Sequence, residues 1–181
     1  MPIIPIGRSR LPPKNIAKSA SIDTAPASVA LIGFDRHSGQ KLWQVAANHS
    51  FWHNGIVAGG DQIYCLDRNP KKVEDALRRR GRSRPEGYRI VALDYQTGET
   101  NWEVTDGIFG SWLGYSDQHD LLLQAGAKAS DRLYDEVDHG MAAYECRTGK
   151  LRWKNETLQY AGPCILHNDL IITNANAYSD S

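Results

Sequence analysis

The chain has only three cysteines in 181 residues, Cys65, Cys146 and Cys164, with no adjacent pair and no CxxC spacing. That scarcity argues against a cysteine-rich zinc site and a thioredoxin-like redox pair. Long apolar runs are also missing: nothing approaches the ~18–20 residues of a membrane helix. The N-terminal apolar stretch is short and broken by prolines, so it lacks the core of a secretory signal. Neither sign of charge is in excess. The 21 basic residues balance 21 acidic ones, which removes the net-charge argument for nucleic acid or an anionic membrane. Phenylalanine is scarce at three, against five Trp and eight Tyr. A ring set with polar tips suits half-buried strand surfaces.

What is present is a repeat. LIGFDRHSGQKLW at 31–43, IVALDYQTGETNW at 90–102 and MAAYECRTGKLRW at 141–153 align without gaps. Gly39, Gly98 and Gly149 stand 59 and 51 residues apart, with Trp43, Trp102 and Trp153 at one fixed offset behind them. Self-similarity at such a period marks a repeat architecture. In each copy an apolar run ends at an acidic residue, Asp35, Asp94 or Glu145. Aspartate in a tight turn accepts bonds from amides two or three positions on, and Ser38, Thr97 or Thr148 does the same more weakly. Glycine then takes a positive φ that a β-carbon resists. Each copy therefore predicts a β-hairpin with a four-residue connection. A short strand follows each Trp (HNGIVAGG, SWLGYSD, AGPCILHND), and a polar turn leads to another (DQIYCLD, HDLLLQAG, NDLIITN). Four short antiparallel strands per unit predict an all-β partial propeller.

The expected organisation runs from a poorly packed leader at 1–28, rich in Pro, Ser, Ala and Lys, into a half-blade at 29–46. Whole blades follow at 51–104 and 109–154, then a half-blade at 160–174 and a tail at 175–181. Propellers close with about four to eight blades, so the expectation is a fragment whose partners are the remaining blades of a longer propeller, or another protein.

The motif resembles the PQQ-like (pyrroloquinoline-quinone-type) propeller repeat, A-x-D-x-x-T-G-x-x-x-W. The first copy supplies Gly33, Asp35, Ser38, Gly39 and Trp43. The second supplies Ala92, Asp94, Thr97, Gly98 and Trp102, a full match, and the third Ala143, Glu145, Thr148, Gly149 and Trp153. The resemblance covers roughly 29–174 and implies that each motif Trp docks one blade on the next. It also implies a bacterial, exported protein, periplasmic or extracellular. Dehydrogenases of the family hold PQQ between a Trp and an adjacent-cysteine disulfide, with calcium on Glu, Asn and Asp and an Asp base. No Cys-Cys pair occurs here and no calcium set aligns, while other members bind no quinone and serve as interaction platforms. Every strong signal concerns blade folding and none forms a reactive site, so the expected function is a non-catalytic binding or scaffolding module within a larger protein. Its alternatives are part of a PQQ- and calcium-dependent quinoprotein dehydrogenase whose cofactor site lies mostly elsewhere, and a truncated product with no independent role.

Two inserts are also notable. NPKKVEDALRRRG at 69–81 predicts a short helix at about 70–80, with Asn69 as cap, Pro70 at its first position, and Val73, Ala76 and Leu77 on its packed face. Lys71, Lys72, Arg78, Arg79, Arg80, Arg82 and Arg84 make it basic. A solvated face is the ordinary reading, and a nucleic-acid contact the alternative. The segment 128–140 gathers Asp131, Asp135, Asp138 and His139, a candidate divalent-cation set; its spacing departs from the EF-hand pattern, which favours a polar loop. No Ser or Cys can be set against a His–carboxylate pair, so no catalytic residue is assigned. Trp52 and Trp112 open strands near a propeller mouth, where packing is the expected role and a ligand surface the alternative.

Overall fold

The computed structural model describes residues 27–83, 86–126, 137 and 139–175. Eleven strands and one helix follow in chain order: β1 (Ala27–Phe34), β2 (Lys41–Gly59), β3 (Gln62–Asp67), α1 (Lys71–Arg79), β4 (Arg89–Asp94), β5 (Thr100–Val104), β6 (Trp112–Ser116), β7 (Leu121–Ala125), β8 (His139–Glu145), β9 (Leu151–Gln159), β10 (Ala161–His167) and β11 (Leu170–Asn174). They form sheets in the orders β1-β2-β3-β4-β5, β6-β7-β8-β9 and β10-β11, antiparallel throughout.

The five-stranded sheet is two units sharing one strand. The front of β2 pairs with β1 as an outer hairpin, and its rear pairs with β3 to open the first whole blade. The expected break between these strands is absent: the chain passes from one blade into the next without a loop. The second whole blade is β6–β9, and β10-β11 is the inner half of another. The fold is a partial β-propeller.

Its core lies between the sheets. One buried cluster joins Leu31 and Val45 of the first hairpin to Phe51, Cys65, Val91 and Leu93 of the first whole blade. A second sets Trp52, Tyr64, Leu66 and Ile90 against Leu113, Leu122, Ala142 and Tyr144 of the next blade. A third joins Leu123, Met141 and Ala143 to Tyr160, Cys164 and Leu166. Successive strand residues face opposite ways, so Tyr64 and Cys65, or Leu122 and Leu123, serve different interfaces. A strand covered on both faces reads as an unbroken apolar run, which is why IYCLD, RIVALD and LLLQA lack alternation.

The helix corrects one expectation. Pro70, with φ −60° and ψ 146°, is itself the cap, and no side chain caps the helix. Asn69 is buried before it. The other end is a Schellman closure: Gly81 N–H donates to Arg78 O at 2.9 Å and Arg82 N–H to Leu77 O at 3.0 Å, with Gly81 at φ +69°. Val73, Ala76 and Leu77 are half-buried on one side. Lys71 and Arg78 pair with Asp75 at 2.8 and 2.6 Å, so part of the basic insert is neutralised by the helix itself.

Candidate functional site

The repeated reversals carry the most regular geometry in the molecule. Asp35 Oδ1 accepts from His37 N, Ser38 N and Ser38 Oγ at 3.0, 2.7 and 2.7 Å. Asp94 Oδ1 accepts from Gln96 N, Thr97 N and Thr97 Oγ1 at 2.9, 2.8 and 3.1 Å. Glu145, one methylene longer, receives the Thr148 hydroxyl at 3.0 Å. In all three copies glycine N–H donates back to the acidic residue's carbonyl, at 2.8, 2.9 and 2.9 Å, with φ of 70°, 73° and 70°.

The bonds to Asp35 and Asp94 favour their ionised carboxylates. The Ser38 hydroxyl holds Asp35 below the ordinary Asp value of 3.8, and the Thr97 amide does the same for Asp94. A carboxyl whose folded value is depressed contributes stability above its unfolded value and loses it as pH falls through the folded one. The melting temperature is therefore expected to decline below about pH 4, with a shallower decline in Asp35→Asn/Asp94→Asn. Thermal melts from pH 6 to pH 2 check this; equal acid slopes for the two proteins would refute it.

The second and third reversals are also receptors for tryptophan. Trp43 Nε1 donates to Tyr95 O at 3.0 Å, and Trp102 Nε1 to Cys146 O at 2.9 Å. Tyr95 and Cys146 hold the same place, one residue after the acidic position. The rings cover the motif glycines: a β-carbon on Gly98 would lie 2.9 Å from Trp43, and one on Gly149 2.5 Å from Trp102. Within each hairpin the Trp stands opposite the small residue of its own motif, as Gly33–Trp43, Ala92–Trp102 and Ala143–Trp153. A larger residue there would collide with the ring; at Gly33 even a β-carbon would sit 2.3 Å from it. Cys146 O additionally receives Gln62 Nε2 at 3.2 Å and Tyr64 OH at 3.4 Å, so one carbonyl ties two blades together.

The third tryptophan ends differently. Trp153 is 36 % exposed. It borders a recess of ≈ 300 Å³ with His119, Leu166, Asn168, Leu170 and Ile171, on the open side of β11. His119 Nε2 lies 3.0 Å from Asn168 O and 3.2 Å from Asp169, linking the inner turns of two blades.

A buried carboxylate was not legible as anything but a strand end. Asp67, with no exposed surface, accepts from the amides of Asn48, His49 and Ser50 at 2.8, 2.9 and 3.0 Å and from Arg89 Nε at 3.1 Å. Arg89 also reaches Glu103 at 2.7 Å. This cradle fixes the crossing within β2 and is structural. Trp52 is buried in the core beneath the Arg68 guanidinium, and Trp112 packs on the third cluster.

Among the described residues the remaining candidates do not form a reactive set. Asp131, Asp135 and Asp138 lie outside the described residues, while His139 opens β8 and borders a second recess with Phe109, Lys154 and Glu156. Among the described residues no cluster of three metal-ligating side chains occurs, and no helix is long and apolar enough to cross a membrane. The three cysteines are buried, free and divided among the three core clusters. Burial pushes the Cys65 thiol up to about 12 and Cys146 to about 11, leaving no ready thiolate. Separate placement gives no adjacent sulfur pair, and Trp52 offers no open face, so these residues do not fit the quinone seat that the resemblance implies.

Sheets stacked through tryptophan wedges on glycine reversals define a β-propeller arc. The solved structure of a europium-containing methanol dehydrogenase shares this fold at 18 % identity and a TM-score of 0.51, over 80 % of this chain and 33 % of that one. BamB from Moraxella catarrhalis aligns at 17 % identity and a TM-score of 0.47, over 71 % and 32 % of the two chains. The quinohemoprotein alcohol dehydrogenase ADHIIG from Pseudomonas putida HK5 aligns at 13 % and 0.47, over 74 % and 25 %. The chain thus spans a quarter to a third of these structures' lengths. No protein-family model and no curated protein matches the sequence.

Proposed function

We propose that the chain is a non-catalytic propeller module whose role is to present binding and scaffolding surface and to dock against further blades. The observation that carries this reading is the docking seam itself. Trp43 and Trp102 each close on a reversal, and Trp153 presents the same ring beside an open recess. A binding role needs a rigid frame and an unsatisfied face, and both are features of this arc. The likeness to a methanol dehydrogenase supports a second reading, in which the arc is part of a quinoprotein dehydrogenase whose PQQ and calcium are held mostly by other residues.

Titration with PQQ in the presence of calcium, followed by quinone absorbance and by dye-linked alcohol oxidation, separates the two. The module reading expects no binding at micromolar quinone and no turnover. Saturable quinone binding with turnover would replace it with the dehydrogenase.

A further inference from the structure

We infer that the recess bounded by the connection between the two whole blades and by the outer strands β8 and β9 binds a free apolar α-amino acid, with the side chain on its floor and the paired charges on Lys154 and Glu156. The recess shares no residue with the docking seams or with the inner strands β2, β6 and β10, so its ligand is independent of whichever function above holds.

The floor is apolar and held from behind. Ile108 and Phe109 come from the connection between the whole blades, where they also pack on the core, and Val137 stands just ahead of β8. Phe109 O accepts from Gln124 Nε2 at 2.8 Å, and the fully buried Gln124 accepts in turn from Tyr144 OH at 2.8 Å. On the other wall Gly140 O accepts from Tyr160 OH at 2.8 Å, and that hydroxyl receives Gly126 N–H at 2.7 Å. Buried side chains therefore fix both walls through backbone carbonyls, which preorganises the space between them. Gly140, at φ +80°, keeps that space open: a β-carbon there would stand 3.5 Å from the Phe109 ring and 3.8 Å from Glu156 Cα.

The rim carries one charge of each sign. Lys154 and Glu156 are two apart on β9 and so share a face, with Lys154 Nζ 2.6 Å from Glu156 Oε1. Lys154 leans toward the connection, its Nζ 3.5 Å from where a β-carbon on Gly107 would stand. Side-chain exposures of 34 % and 75 % leave both groups within reach of a solute. The Lys154 bond holds Glu156 below the ordinary Glu value of 4.5, so its carboxylate is ionised at neutral pH.

Floor and rim together select the ligand. The volume of ≈ 390 Å³ falls within the range of small-molecule sites, about 300–1,000 Å³. A lone anion drawn to Lys154 meets Glu156, and a lone cation drawn to Glu156 meets Lys154; like charges so placed cost affinity. A zwitterion escapes both penalties. Its carboxylate accepts from the Lys154 ammonium, and its own ammonium donates to Glu156, each as a charge-assisted bond. Three apolar residues then call for an apolar side chain, and the Phe109 ring favours one that stacks on it or meets it edge-on. Phenylalanine and leucine meet these demands. The end of a peptide does not, since it carries only one of the two charges.

Isothermal titration calorimetry of the full 181-residue chain with L-phenylalanine tests this. Saturable one-to-one binding is expected at about millimolar or tighter, as suits so small a ligand. N-acetyl-L-phenylalanine keeps only the carboxylate and L-phenylalanine amide only the ammonium. Each is expected to bind at least roughly tenfold more weakly, the loss of one charge-assisted bond. Lys154→Met and Glu156→Gln, both on the exposed β9, are expected to weaken L-phenylalanine by a similar factor. Glu156→Gln also removes the charge that repels a lone carboxylate, so its preference shifts toward the N-acetyl compound, while that of Lys154→Met shifts toward the amide. Loss of structure alone does not produce opposite shifts. The three-ligand series needs no variant and decides by itself if either substitution unfolds the chain. No binding at about 10 mM, equal binding of the three ligands, or folded variants that bind L-phenylalanine as wild type does would overturn the site.

Discussion

Asp67→Ala will lower the free energy of unfolding by about 3–5 kcal/mol, the cost of removing one partner from a buried charged network. The carboxylate is fully enclosed and receives Asn48, His49 and Ser50 amides together with Arg89. Alanine leaves three inward amides without an acceptor, each worth about 1–3 kcal/mol when stranded, and strips Arg89 of its inner partner. For a chain of this size the melting temperature is expected to fall by roughly 10 °C. Asp67→Asn preserves the shape and one acceptor oxygen, so it will fall between wild type and alanine. Urea titrations with an unchanged slope check this, and a loss below about 1 kcal/mol would show that water replaces the carboxylate.

Trp102→Ala will cost about 3 kcal/mol, the lower end for removing a large ring because Trp102 is half-buried. Three things go at once: the bond to Cys146 O, the cover over Gly149 and the packing beside Tyr64, whose ring centroid lies 5.8 Å away. Trp153→Ala provides the contrast. It will change unfolding by no more than about 0.5 kcal/mol, as surface substitutions do. Equal losses at the two positions would contradict the description of Trp153 as an uncovered ring.

These two residues mark where the sequence was legible and where it was not. The reversals are written locally: acid, hydroxyl and glycine all act within six positions, so their chemistry survives in the linear text. The small residue opposite each tryptophan is also local, because hairpin register sets it. The destination of each tryptophan is not, since Trp43 bonds a carbonyl 52 positions away, and carbonyls carry no side-chain signature. Asp67 is opaque for the same reason. Its donors are chiefly the backbone amides of 48–50, which leave no side-chain signature in the sequence. The helix cap was misplaced because Asn69 fits both a cap and a buried loop position, and packing decided for the second. Candidate chemistry at 128–140 rests on residues outside the described structure, apart from His139.

The unbroken β2 has a consequence for how this protein tolerates changes in length. Phe51 and Trp52 are neighbours that point to opposite faces, one into the first core cluster and one into the second. Adding or deleting a single residue ahead of them would exchange their destinations, because side-chain direction in a strand has a period of two. The connection at 105–111, by contrast, lies outside any strand and contains Gly107 and Gly110, both at positive φ. Ile108 and Phe109 pack on the core and Gly110 and Ser111 are buried, so insertions and deletions are absorbed at the exposed 105–107 and forbidden at the crossing, which makes 105–107 the place to graft foreign sequence.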